Sequence, residues 1–119
     1  MTNLVVGGVS FGAIVALSAA ADDPRVVALF GIGLPIRTYD YGFLADVQKP
    51  VLIVQGEEDE FGSGPEVEPV IAALGSHVTL ARIAGGDHYL EGHIDEMKAV
   101  VSEYFQNGPG GEAVGGNIG

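Results

Sequence analysis

The chain of 119 residues carries 16 acidic and five basic residues, a formal net charge of −11, no cysteine and a hydrophobic fraction of 47%. So acidic a chain argues against nucleic acid and anionic membrane surfaces as partners. The lack of cysteine excludes disulfides, thiolate nucleophiles and thiolate metal sites, which fits a cytoplasmic protein. The length allows one domain, and the apolar fraction is enough to bury a core.

In chain order, Leu4-Val5-Val6 is a short apolar run closed by Gly7-Gly8, the pattern of a buried parallel strand. Phe11 to Ala21 is rich in Ala, Leu and Ile and stops at Asp22-Asp23-Pro24, which predicts a helix. Val26 to Ile32 is again β-branched and apolar. A short helix is expected around Tyr41 to Val47. Pro50 introduces Val51-Leu52-Ile53-Val54, the clearest buried strand, closed by Gly56. Gly64-Pro65-Glu66 opens a helix that ends near Gly75, with proline near its first position and an acid against the dipole. Val78 to Ile83 reads as a strand, and Glu91 to Phe105 as a helix in which Ile94, Met97, Val101 and Tyr104-Phe105 recur at helical spacing.

Strands alternating with helices give an α/β fold, here a mostly parallel four-stranded sheet with helices on both faces. The domain is expected over residues 1–106, followed by a flexible Gly-rich tail over 107–119. One rival competes at the start of the chain. Leu4 to Ala21 holds no charge, and Gly8 with Gly12 makes a G-x-x-x-G pair, as in a membrane or signal segment. Met1-Thr2-Asn3 supplies no Lys or Arg, however, and five Gly and Ser residues dilute the stretch.

In an open α/β sheet, ligands and catalytic groups gather beyond the carboxyl ends of the strands. The first strand is followed by Gly8-Val9-Ser10-Phe11-Gly12, a G-x-S-x-G. The third is followed by Gly56-Glu57-Glu58-Asp59, and the fourth by Gly85-Gly86-Asp87-His88. A serine, an acid and a histidine thus occur in that order, each just past a strand. An anchor segment predicts neither of the last two, so no membrane partner is expected. His88, Glu91 and His93 look like a zincin fragment, but the histidines are five apart, about 140° around a helix, so no metal site is expected. No phosphate or dinucleotide fingerprint is present.

On "GVSFGA", "PVLIVQGEEDE" and "IAGGDHYLEGH" the chain resembles the C-terminal half of an α/β-hydrolase, most closely the small, lidless, dienelactone-hydrolase-like kind. The resemblance covers Leu4 to Phe105. It implies a serine hydrolase that cleaves carboxylic esters through an acyl-enzyme, without a cofactor. Ser10 would be the nucleophile and His88 the general base; Asp59, at the matching G-x-x-D position, would orient His88. His77 precedes a strand and His93 falls within the last helix, so neither competes; Asp87 shapes the turn. The Phe11 N–H, at a helix N-terminus, would donate to the oxyanion. A tight elbow would leave little room for side chains at Gly8 and Gly12. Of Phe11, Tyr39, Tyr41, Phe43, Phe61 and Tyr89, position favours Phe11 and Tyr89 as substrate neighbours. Leu34 to Lys49 is too short for a lid, which suits a small-molecule or surface-accessible ester.

The same resemblance implies missing parts. The family carries strands before the nucleophile strand and a loop that donates a second oxyanion N–H, and neither has a counterpart here. The nucleophile strand is therefore expected at a sheet edge with apolar faces partly uncovered. A homodimer through that strand, or a complementing N-terminal half, would cover it. The alternative is a truncated, catalytically impaired remnant that serves as an interaction or oligomerisation module.

Overall fold

The computed structural model describes residues 4–113. Their elements run β1 (Leu4–Val9), α1 (Gly12–Ala20), β2 (Val26–Ile32), a 3-10 turn (Gly42–Asp46), β3 (Val51–Gly56), α2 (Gly64–Ala72), β4 (Val78–Ile83), α3 (Ile94–Gln106) and α4 (Pro109–Ala113). The strands form one sheet in the order β1-β2-β3-β4, and each neighbouring pair is parallel. The α/β architecture is therefore the expected one, a four-stranded parallel sheet with helices on both faces.

Burial on both faces explains why β3 reads as an unbroken apolar run. Val51 and Ile53 join Ala13 and Leu17 of α1 and Val67 and Ile71 of α2 in one cluster. Leu52 and Val54 point the other way, into a second cluster closed by Tyr104 and Phe105 of α3. Near the start of α2, the Glu66 carboxylate accepts from the Ser63 N–H at 3.2 Å and the Ser63 hydroxyl at 2.9 Å, which anchors the first turn.

The uncharged stretch Leu4 to Ala21 divides into a strand and a nine-residue helix. Among the described residues no helix is long and apolar enough to cross a membrane. β1 pairs with β2 alone among the described residues, so it lies at a sheet edge; Leu4, Val5 and Val9 are exposed there, Val9 to 60%.

Three boundaries differ from the sequence reading. β1 continues to Val9, so the glycines interrupt its side chains but not its ladder. α3 begins at Ile94 rather than Glu91, because Gly92 turns at φ +80 and His93 holds a non-helical backbone at the cap. His93 thus precedes the helix instead of lying within it. The expected Gly-rich tail begins with α4, where Gly110 packs so tightly that a Cβ would lie 2.5 Å from the Phe105 ring. Residues 114–119 of that tail lie outside the described residues.

Candidate active site

Ser10 occupies the turn between β1 and α1 with φ 56, a left-handed backbone rare for a residue with a side chain. Such a conformation costs about 1–3 kcal/mol and persists only where the surroundings impose it. Here the Ser10 N–H donates to Ile32 O at 2.8 Å and its carbonyl accepts from the Ala13 N–H at 3.0 Å. A Cβ at Gly8 would lie 2.5 Å from Ala13 Cα, so β1 and α1 approach as closely as the elbow reading requires. Gly12 is different: a Cβ there meets nothing within 4 Å, because this exposed first residue of α1 faces outward. The expected crowding holds at Gly8 only.

Ser10 and His88 leave strands at opposite edges of the sheet, three interstrand steps or about 14 Å apart. The connection from β4 to α3 closes that distance by running back over the ends of β3 and β2. Over β3 the Glu57 N–H donates to Ile83 O at 3.0 Å and the Glu58 N–H to Gly86 O at 2.9 Å. The loop lies so close that a Cβ at Gly56 would be 2.3 Å from Gly86 O. Over β2 a Cβ at Gly33 would be 3.1 Å from His88 O and 3.4 Å from the imidazole. Glycine is thus needed at both strand ends for the loop to pass. Beyond His88, Leu90 turns the chain at φ 54, and Asp87 Oδ1 accepts from the Glu91 N–H at 3.1 Å.

The loop delivers His88 to Ser10, with Ser10 Oγ 2.5 Å from His88 Nε2. On the other side of the ring, His88 Nδ1 lies 2.9 Å from Asp59 Oδ2 and 3.0 Å from Asp59 Oδ1. His88 and Asp59 are 3% and 1% exposed. The Phe61 N–H donates to Asp59 Oδ1 at 2.8 Å and fixes the carboxylate. An ionised carboxylate only accepts, so in the neutral ring Nδ1 carries the hydrogen and the Nε2 lone pair faces the serine hydroxyl. An imidazole held this way can take a proton from Ser10 and return it.

The neighbouring acids are engaged elsewhere or exposed. Glu57 pairs with Arg82 at 2.5 and 2.7 Å, and that guanidinium holds its carboxyl below the usual glutamate range. Glu58 and Glu60 are exposed. His77 Nε2 lies 2.7 Å from Leu44 O, and His93 Nδ1 lies 3.3 Å from Glu96, so neither reaches Ser10. Among the described residues no cluster of His, Asp and Glu is arranged to hold a metal ion.

Phe11 caps α1, and its N–H has no acceptor among the described residues. Its ring, 40% exposed, stands edge-on to Phe61 at 5.2 Å and to Tyr39 at 6.1 Å. Tyr89 is 72% exposed, with its ring 5.0 Å from that of His88. Tyr41 is buried in the core, and Phe43 packs against the same cluster. Sequence reasoning passed over two residues. Phe61 lies 4.6 Å from the His88 ring, nearer than Tyr89. Gln55 is fully buried beneath Asp59, and it carries a signal in the sequence: an amide near the end of an otherwise apolar strand.

A family model described as an alpha/beta hydrolase domain matches residues 1–98. The chain belongs to the alpha/beta hydrolase family. The uncharacterized protein RP471 of Rickettsia prowazekii is 30% identical to this chain over 112 residues, covering 87% of this chain and 47% of that protein. A solved protein of unknown function from Agrobacterium tumefaciens superposes with a TM-score of 0.77 at 26% identity, covering 85% of this chain and 48% of that one. A lidless serine hydrolase of Xanthomonas campestris does so with a TM-score of 0.72 at 29% identity, covering 86% of this chain and 46% of that one. The chain spans about half the length of each of these relatives.

Proposed function

We propose that this hydrolase cleaves carboxylic esters through an acyl-enzyme, with Ser10 as nucleophile, His88 as general base and then general acid, and Asp59 orienting His88. The observation that carries the reading is the 2.5 Å contact from Ser10 Oγ to His88 Nε2, made by a serine at φ 56 whose partner ring has a buried carboxylate on its other nitrogen.

A serine hydroxyl is a weak nucleophile until a base removes its proton. As Ser10 Oγ attacks the ester carbon, its proton passes to His88 Nε2, and Asp59 stabilises the resulting imidazolium. The Phe11 N–H at the start of α1 donates to the carbonyl oxygen as it gains charge; one such donor is worth roughly 10²–10³ in rate. Collapse of the adduct releases the alcohol, protonated from Nε2, and water then cleaves the acyl-enzyme with His88 as base again. The exposed rings of Phe11, Tyr39 and Tyr89 border an open site that suits a small or surface-presented acyl group.

The test is intact-mass analysis after treatment with a fluorophosphonate. Wild type should gain one adduct and Ser10→Ala none. A folded wild type that stays unlabelled refutes the reading.

A second reading rests on the edge of β1 left unpaired among the described residues, with its exposed Leu4, Val5 and Val9. A bare strand edge is a template for further pairing. In this reading β1 meets its own counterpart in a second copy, or a strand of a complementing half, and the chain serves as an assembly module. A monodisperse monomer in light scattering refutes the dimer. A dimer that fails to label favours the module over the enzyme.

A further inference from the structure

Gln55, the last residue but one of β3, is a buried amide in a strand whose other side chains are apolar. Burying a carboxamide is costly unless its donors and acceptor find partners. All of them do. Oε1 accepts from the Leu34 N–H at 2.9 Å, while Nε2 donates to Leu34 O at 3.0 Å and to Gly62 O at 2.7 Å. Asp59 Oδ2 lies 3.4 Å from the same nitrogen. The orientation of the amide is therefore fixed. Reversed, its oxygen would face three acceptors and its nitrogen an N–H. Nε2 has two hydrogens, and the two shorter contacts take most of both. Asp59 meets the positive end of the amide dipole and a share of one hydrogen.

These partners belong to two different loops. Leu34 follows Gly33, the residue whose backbone lies directly beneath His88. Gly62 closes the turn that bears Asp59, its N–H donating to Asp59 O at 3.3 Å. One side chain thus ties the floor under the imidazole to the turn that carries its carboxylate. No step of the mechanism above uses it.

We propose that Gln55 is a positioning residue: its carboxamide clamps the backbone at Leu34 and Gly62 and turns the positive end of its dipole to Asp59, so that the carboxylate stays seated on His88 Nδ1. The inference rests on Ser10, His88 and Asp59 acting as a triad. It predicts an effect on the reacting step rather than on substrate affinity, because Gln55 is buried away from any bound acyl group.

The test compares wild type, Gln55→Met and Gln55→Glu in fluorophosphonate labelling from pH 5 to 9, with circular dichroism as the check of folding. Gln55→Met keeps the bulk and loses the amide; its limiting labelling rate should fall about 10- to 100-fold while the half-saturating probe concentration holds. With Asp59 less firmly seated on Nδ1 the imidazolium is less favoured, so the acid limb of the Gln55→Met rate profile should move down by about half a pH unit or more. Gln55→Glu keeps the shape, but its second oxygen faces the Leu34 and Gly62 carbonyls and Asp59. The buried carboxyl therefore holds its proton, donates one hydrogen where the amide donates two, and should slow labelling less than Gln55→Met does. A purely structural role would leave that limb in place. Folded variants that label like wild type, with the same limb, overturn the proposal.

A second readout uses wild type alone and needs no reactivity. In ¹⁵N-labelled protein, the Gln55 side-chain amide signals should move with the same midpoint as the His88 ring signals during a pH titration. Amide signals that ignore that titration overturn the proposal even where both variants fail to fold. If the signals move together but wild type never labels, the coupling stands and the hydrolase reading fails.

Discussion

Replacing Gly56 with alanine tests whether the loop that brings His88 across the sheet depends on a bare backbone beneath it. The added carbon would lie 2.3 Å from Gly86 O and 2.5 Å from Asp87 O, where ordinary contact begins at 3.4 Å. Both neighbours are main-chain atoms, so no side chain can swing aside, and the loop itself must lift by about 1 Å. His88 Nδ1 starts 2.9 Å from Asp59 Oδ2, and about 1 Å more leaves about 3.9 Å, past the limit of a hydrogen bond. Displacement of that size at a reacting centre costs about 100-fold in rate, and the overpacking about 1–3 kcal/mol of stability. The assay is the rate of fluorophosphonate labelling by intact mass, paired with thermal unfolding followed by circular dichroism. We expect labelling to slow about 100-fold and the melting temperature to drop by several degrees. An alanine variant that labels within about twofold of wild type, and melts with it, would refute a loop held in contact with β3.

Two further outcomes concern stability. Glu66 accepts from Arg37 and from Ser63, which hold its carboxyl down from 4.5 to about 2. An acid depressed in the folded state stabilises fully above its unfolded value and loses that contribution as pH falls from about 4.5 through about 2. The gap between the urea midpoints of wild type and Arg37→Met should therefore be wider at pH 6 than at pH 2, where only the Arg37 bond to Glu60 O remains; a constant gap would contradict the pairing. The Tyr41 hydroxyl is buried without a partner among the described residues, and burial pushes its pKa up to about 12. Tyr41→Phe removes an unsatisfied group and should raise the melting temperature, the gain corresponding to about 1 kcal/mol; a fall would mean that the hydroxyl has a partner after all.

The parts of this molecule that sequence could convey are those in which one residue type has one physical use. β3 is legible because only a strand buried on both faces tolerates Val51 through Val54 in a row. Ser10, Asp59 and His88 are legible because each follows a strand, where the fold gathers its chemistry. Other features depend on partners remote in sequence. Glycine at Gly33 and Gly56 reads as an ordinary strand end until the returning loop lies on it. Gln55 looks like a misplaced polar residue until Leu34 and Gly62 are beside it. The start of α3 is hidden in the sequence because Glu91 continues the helical composition, while Gly92, at φ +80, breaks the backbone. At Gly12 the motif suggested crowding that the outward-facing helix start does not produce.

Strand order also bears on how the chain folds. Each strand pairs with the next in sequence, so β1 with β2, β2 with β3 and β3 with β4 each close a short loop. The contact between Ser10 and His88 spans 78 residues and joins the first strand to the last. Chain entropy delays such a closure until the nearer pairings have brought its ends together. During refolding, helical signal should return ahead of serine reactivity, and a reactive Ser10 would report that all four strands are in register.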